Sequence, residues 1–205
     1  IVMNRYILQG GTIITFYSQN PLLEEQAILI DDGMIVKIGD LEDFRDEVCE
    51  RIDVEGKFIL PGLINAHHHF YSTFATGLTK TAVSHNFSEV LSNLWWRLDK
   101  NLLEEDIYYS ALVSALTSIR KGTTTIIDHH SSPFCVQNSL SQIAKAILDT
   151  GIKASLCFEV SDRDGAEIAQ AGIEENYQWL KHCQNNPNPY LKGLFGLHAA
   201  FTLSD

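Results

Sequence analysis

Phe58-Ile59-Leu60-Pro61-Gly62-Leu63-Ile64-Asn65-Ala66-His67-His68-His69-Phe70 is the stretch on which the reading of this chain turns. Residues 63–67 have the apolar character of a short strand, and Pro61-Gly62 punctuates the chain just before it. Strand side chains alternate between faces, so His67 and His69 share one face while His68 points to the other. Neutral imidazole is a preferred ligand of zinc and other first-row divalent metals, which makes His67 and His69 a candidate metal pair. Standing alone, an H-x-H reads equally as two partly exposed or core histidines. The third histidine does not make a purification tag of the run, because the run lies mid-chain within an apolar strand.

Outward from this stretch the chain has two textures. Before it, short β-rich segments at 6–9, 12–16, 27–30 and 34–38 are separated by turn residues, and Asp31-Asp32-Gly33 is a hairpin signal. This predicts a small β-sandwich unit over residues 1–60. Between Asp40 and Glu55 lie eight carboxylates and two arginines, but their spacing does not match a calcium loop, and a solvated surface is the expectation.

After Pro61 strands alternate with helices. The spacing predicts strands at 63–67, 123–128, 153–160 and 191–197. Between them it predicts helices at 104–121, with Ile107, Ala111, Ala115 and Ile119 on one face, at 139–150, and at 173–183. Ser139 and Gln142 suggest a capping box for the second helix, and Gly122 and Gly151 are stop signals. Such alternation argues α/β architecture, with parallel strands and right-handed crossovers. The turn after the first of these strands is His67-His68-His69 rather than a glycine-rich phosphate loop, so a barrel fits better than a nucleotide-binding sheet. A full (β/α)8 barrel takes about 250 residues. Residues 61–205 are therefore expected to form its first four β/α units, the N-terminal half, leaving two strand edges and an apolar interior uncovered.

Composition narrows the function. The 205 residues include 15 basic and 26 acidic side chains, a formal charge of −11. Phosphate-tracking nucleic-acid binding and adhesion to anionic membranes both draw on excess lysine and arginine, so no nucleic-acid partner and no membrane partner are expected. No apolar run approaches the roughly 18 residues of a membrane span. With no secretory leader pattern and four dispersed cysteines lacking a C-x-x-C pair, a cytoplasmic protein with reduced thiols is the expectation.

The run from Pro61 to His69, preceded by a short β unit, resembles the opening signature of the amidohydrolase superfamily. Three further stretches resemble its cytosine-deaminase, chlorohydrolase and guanine-deaminase branch and occur in the expected order. They are Leu94-Trp95-Trp96-Arg97-Leu98-Asp99, the run from Lys121 to His130, and the run from Gly196 to Ser204. Asp128-His129-His130-Ser131-Ser132-Pro133 is most similar to the SsnA-type aminohydrolases within that branch. The resemblance spans essentially the whole chain. It implies a metal-dependent hydrolase of carbon–nitrogen bonds other than peptide bonds, with deamination of a heterocyclic amine as the expected reaction, and a small-molecule substrate.

Carried over residue by residue, the resemblance makes His67 and His69 metal ligands and His198 a substrate contact. It leaves the catalytic acid and the remaining metal ligands to strands five to eight, beyond Asp205. No lysine stands at the end of the fourth strand, since Lys192 falls at its beginning, so one divalent ion is implied: zinc, with iron or manganese as alternatives. That ion is expected to be weakly held or absent in this 205-residue chain, which alone is expected to be inactive. The rival expectation is a non-catalytic truncated module that self-associates through its open edges; on either reading a homo-oligomer is expected. Of His129 and His130, one either faces the pocket or both serve local packing. Trp95 and Trp96 read as pocket wall or as core, and His85 and His182 as surface.

Overall fold

A two-residue turn sets the first sheet. Asp32 and Gly33 both take positive φ, 48° and 76°, the type I′ geometry whose twist suits a tight hairpin. The hairpin signalled by Asp31-Asp32-Gly33 is present, joining β4 (Gln26–Asp31) to β5 (Met34–Asp40). The structure, a computed structural model, describes residues 5–78 and 82–204. The chain divides into two units, Ile1–Pro61 and Gly62–Asp205.

The first unit also contains β1 (Arg5–Gln9), β2 (Thr12–Ile14), β3 (Leu22–Leu23), β6 (Glu50–Asp53) and β7 (Phe58–Ile59). One sheet runs β5-β4-β1-β6 and the other β3-β2-β7. Ile7, Ala27, Leu29 and Phe44 form the core of this unit. The second strand ends at Ile14, short of the expected residue 16, because Phe16 turns to φ 57°. The acidic stretch contributes a 3-10 turn at Leu41–Phe44 and the exposed strand β6.

In the second unit four parallel strand positions run side by side. They are β8 (Leu63–His68), β9 (Thr123–His130), β10 (Lys153–Val160) and the interrupted pair β11 (Leu191–Gly193) and β12 (Gly196–Leu197), both of which pair with β10. Between them lie α1 (Phe87–Val90), a π-helical turn at Leu91–Trp95, α2 (Trp96–Asp99), α3 (Glu104–Arg120), α4 (Ser139–Thr150) and α5 (Ala166–Asn185). The core, including Phe70, Ile107, Ile126, Leu140, Ile147, Leu156 and Trp179, lies between the strands and these helices.

Two glycines permit close backbone approach. A Cβ at Gly62 would overlap the side chain of Thr124, and one at Gly196 would overlap the carbonyl of Phe158. The expected single strand 191–197 is two pieces, β11 and β12.

Two helix expectations need correction. Ile107, Ala111 and Ala115 are fully buried, but Ile119 is 40% exposed. A strict four-residue spacing advances about 40° per step at 3.6 residues per turn, so Ile119 has rotated roughly 120° from Ile107. Nor is there a Ser139–Gln142 capping box. Asn138 precedes α4 in a left-handed conformation, and Glu175 of α5 instead accepts hydrogen bonds from the Asn138 and Leu140 N–H groups at 2.9 and 3.0 Å.

That carboxylate therefore ties two helices together. We expect E175A to destabilise the chain by about 2 kcal/mol, the scale of losing buried charge-assisted hydrogen bonds. Gln, which keeps one acceptor oxygen, should cost less. Urea unfolding of both variants measures this; equal stability of E175A and the parent chain would contradict the assignment.

Candidate metal-binding and active site

The site is built at the C-terminal ends of the parallel strands, where β/α barrels keep their chemistry. His67 and His69 lie on the same side of β8, their rings edge-on with centroids 5.1 Å apart, and both line a cleft of about 420 Å³. His68 turns the other way. Its Nδ1 lies 3.0 Å from Oδ1 of the fully buried Asp128, and its Nε2 lies 3.0 Å from Ser114 Oγ on α3. The same Asp128 oxygen accepts the Phe70 N–H at 2.7 Å.

His69 has its tautomer set by a backbone group. Its Nδ1 is 2.7 Å from the His129 carbonyl oxygen, which can only accept, so the proton sits on Nδ1 and Nε2 is left as a lone pair. An N–H anchored on a carbonyl with the opposite nitrogen free is the arrangement found in metal-bound histidine. The donor chemistry thus fits a divalent ion.

The next two strands add groups to the same cleft. His129, at the end of β9, lines it, and its Nδ1 lies 3.2 Å from Glu159 Oε2. His130 is fully buried instead, with Nε2 at 2.9 Å from Ser132 Oγ. Glu159, on β10, has a side chain only 5% exposed, and its Oε1 lies 3.4 Å from His198 Nε2. His198 follows β12 and places Nδ1 2.6 Å from Thr202 Oγ1. Thr202 spends its own proton on the Ala199 carbonyl at 2.8 Å, so His198 Nδ1 must donate and Nε2 is its pocket-facing edge. Burial lowers the His198 pKa, with Glu159 opposing that shift.

Aromatic groups complete the wall. Tyr71, Phe87, Leu91 and Trp95 line the cleft, and Tyr71 meets Trp95 edge-on at 6.4 Å. Burial and the nearby Glu159 and Asp99 charges raise the Tyr71 pKa, which keeps it a neutral phenol. Trp95 is thus wall and partly buried at once, while Trp96 stacks beneath the Arg163 guanidinium, 5.2 Å from its ring centroid. Arg163 pairs with Asp99 and with Asp164, and Lys100 reaches Asp164 at 2.5 Å. This buried ion network fixes the Trp95–Asp99 segment to the loop after β10. Burial pushes the Cys157 thiol up to about 12. His85 and His182 are exposed.

The structure brings together His67, His69 and His198, all singled out in the sequence, and adds His129, which the sequence left open between pocket and packing. Glu159 was missed. Its signal was a lone carboxylate in Cys157-Phe158-Glu159-Val160, at the C-terminal end of an apolar strand where barrel chemistry concentrates.

Parallel β/α units gather histidines at the C-terminal ends of the strands. The profile of the Amidohydrolase family matches residues 58–204, and the chain belongs to that family. Among curated relatives, a 5-methylthioadenosine/S-adenosylhomocysteine deaminase of Thermococcus sibiricus is 31% identical over all of this chain and 43% of its own length. A 5'-deoxyadenosine deaminase of Methanobrevibacter smithii is 31% identical over 87% of this chain and 38% of its own length. Among solved structures, the atrazine chlorohydrolase TrzN of Arthrobacter aurescens complexed with zinc superposes with a TM-score of 0.72 at 23% identity, covering 94% of this chain and 46% of that one. This chain spans less than half the length of each. The α/β fold expected from the sequence, a partial β/α barrel, is thereby established.

Burial holds His130 neutral, its pKa lowered to about 3 from an ordinary value of 6.5. Between those values the unfolded chain binds the extra proton and the folded chain does not. Stability therefore rises with pH across this window and is lost as pH falls from about 6.5 towards 3, by up to about 1.4 kcal/mol per pH unit. Urea midpoints measured across this range should show that slope, and H130Q should flatten it by one proton's share. An unchanged slope in H130Q would refute it.

Proposed function

We propose that this chain is the N-terminal part of a metal-dependent hydrolase acting on carbon–nitrogen bonds other than peptide bonds, and that its reaction is deamination of a heterocyclic amine. The observation that carries the reading is the convergence of His67, His69, His129, Glu159 and His198 in one cleft with aromatic walls. His67 and His69 would hold the ion, zinc being favoured by the imidazole donors and by the zinc complex of the chlorohydrolase neighbour. A divalent ion, when bound, polarises a bound electrophile and makes water acidic enough to yield hydroxide near neutral pH.

The chain's own residues do the rest of what can be assigned to it. Tyr71, Phe87 and Trp95 offer flat apolar surface to a planar ring and exclude water from one side of it. His198, held by Thr202, presents Nε2 to the ring, and protonated there against the Glu159 carboxylate it polarises the group under attack. The acid that protonates the departing amine belongs to strands outside this chain. The relatives' names point to adenosine derivatives altered at the 5' position as the first substrates to try.

Ammonia release by the protein carrying all eight barrel strands, loaded with zinc, tests the proposal on a panel of 5'-substituted adenosines, aminopurines and aminotriazines. Activity on at least one member is expected, with H198N reducing kcat by about a hundredfold or more. A metal-loaded protein inert on the whole panel, with neither ammonia nor halide released, would sink it.

A second reading is a non-catalytic module that associates with another copy. It is favoured by the exposed apolar side chains of Leu63 and Ile64 on β8 and of Leu194, Phe195 and Leu197 near β12. A homo-oligomer in the cytoplasm, consistent with four free cysteines, is proposed on either reading. No helix among the described residues is long and apolar enough to cross a membrane. Sedimentation velocity of the 205-residue chain at micromolar concentration should reveal a dimer or larger species; a sharp monomer peak would count against self-association.

A further inference from the structure

We propose that Glu159 is a positioning residue that acts through His198: its carboxylate holds a proton on His198 Nε2, so that this ring meets the substrate as a hydrogen-bond donor. The inference rests on the reading that the complete protein deaminates a heterocyclic amine. It adds the group that keeps the polarising imidazole in its working form, and leaves the ion to His67 and His69.

The strands set the two side chains against each other. Phe158 and Val160 lie against Gly172 of α5, so Glu159 between them points away from that helix and into the cleft. Glu159 pairs in register with Gly196 on β12, and the His198 N–H donates to the Val160 carbonyl at 2.9 Å. The strand pairing that carries Glu159 therefore also anchors His198. Each carboxylate oxygen has its own ring: Oε1 lies 3.4 Å from His198 Nε2, and Oε2 lies 3.2 Å from His129 Nδ1. Contacts of this length are common in sites without substrate and tighten when it binds.

The proton follows from what surrounds the ring. His198 Nδ1 must donate to Thr202, whose own proton goes to the Ala199 carbonyl. In a neutral ring Nε2 would then be a lone pair facing a carboxylate oxygen, which repels; a second proton turns that contact into an attraction. Burial opposes the second proton. So do His69 on β8, His129 on β9 and Arg163 after β10, and among the described residues Glu159 on β10 is the group that favours it. Arg163 does not compete for the carboxylate, because its guanidinium is engaged by Asp99 and Asp164. When substrate enters, the same N–H is shared with the group under attack, and no proton has to change owner.

Two variants test this in the zinc-loaded protein carrying all eight barrel strands, with thermal melting to establish that each folds. E159Q, of the same shape but uncharged, should lower kcat about tenfold or more with a smaller change in KM. Because the His198 proton is lost as pH rises, the alkaline fall of kcat should move to lower pH in E159Q. It should move less far in E159D, whose shorter stem draws the charge back from Nε2; should E159Q fail to fold, E159D carries the same readings. In the H198N background E159Q should cost little further, as expected of one residue acting through the other. Full additivity of the two substitutions, or an alkaline limb unmoved in both Glu159 variants, overturns the proposal. Nitrogen NMR of the His198 ring, assigned by its loss in H198N, needs no turnover: the ring should titrate at lower pH in E159Q than in the parent protein, and an unmoved titration overturns the proposal. A parent protein inert on the whole amine panel sinks the deamination reading, while the ring titration still decides whether Glu159 holds the proton.

Discussion

Everything at the rim depends on where Asp128 sits. Its carboxylate is wholly buried on the helix side of the sheet, where one oxygen receives both the His68 ring and the Phe70 N–H. Burying that group costs solvation, which two strong hydrogen bonds offset and which would go unrecovered if either strand end shifted. With His68 held outward and its far nitrogen on Ser114, its neighbours His67 and His69 turn to the cleft, the register with β9 shifting between Asn65 and His68. The aim of the cleft-facing rings is thus fixed by a contact on the opposite face. Burial raises the Asp128 pKa, and His68 is the first influence opposing that shift, so each member of the pair depends on the other.

Two other buried acids nearby are neutralised by different means. Asp99 meets Arg163 and accepts the Ser131 hydroxyl, closing a network that locks the helical segment bearing Trp95. Glu159 lies on the neighbouring strand and, among the described residues, its ion-pair contacts are imidazoles. A guanidinium keeps its charge at any physiological pH, which suits a structural clamp. Imidazole can be neutral, protonated or metal-bound, which suits a place where chemistry is done. The difference between these two carboxylates separates scaffold from site more clearly than burial, which they share.

Much of this was legible in the sequence because it is local. Asp32-Gly33 can form its turn without help from elsewhere, and 153–160 and 139–150 carry their own periodicity. What escaped was either long-range or a matter of parity. The cap on α4 comes from Glu175, far along the chain, so the local Ser139 and Gln142 pair misled. The choice between His129 and His130 was left open because the strand was expected to stop at residue 128. In fact β9 continues to His130, so Asp128 and His130 share the buried face and His129 alternates to the cleft. Glu159 was hidden because one acidic residue in a strand looks like a solvent-facing position until the neighbouring strand ends are in place around it.

Parallel sheets normally have both faces covered, and among the described residues the core helices α3, α4 and α5 pack against one face of this one. The uncovered face is apolar at Ile64, in register with Thr125, as the inner layers of a barrel would be. Yet the polar groups at its rim are already oriented, each by a partner within the same unit: His69 by the His129 carbonyl, His198 by Thr202, Glu159 by two imidazoles. Such pre-orientation does not require the remaining strands. The rim geometry is therefore set by contacts within these four β/α units.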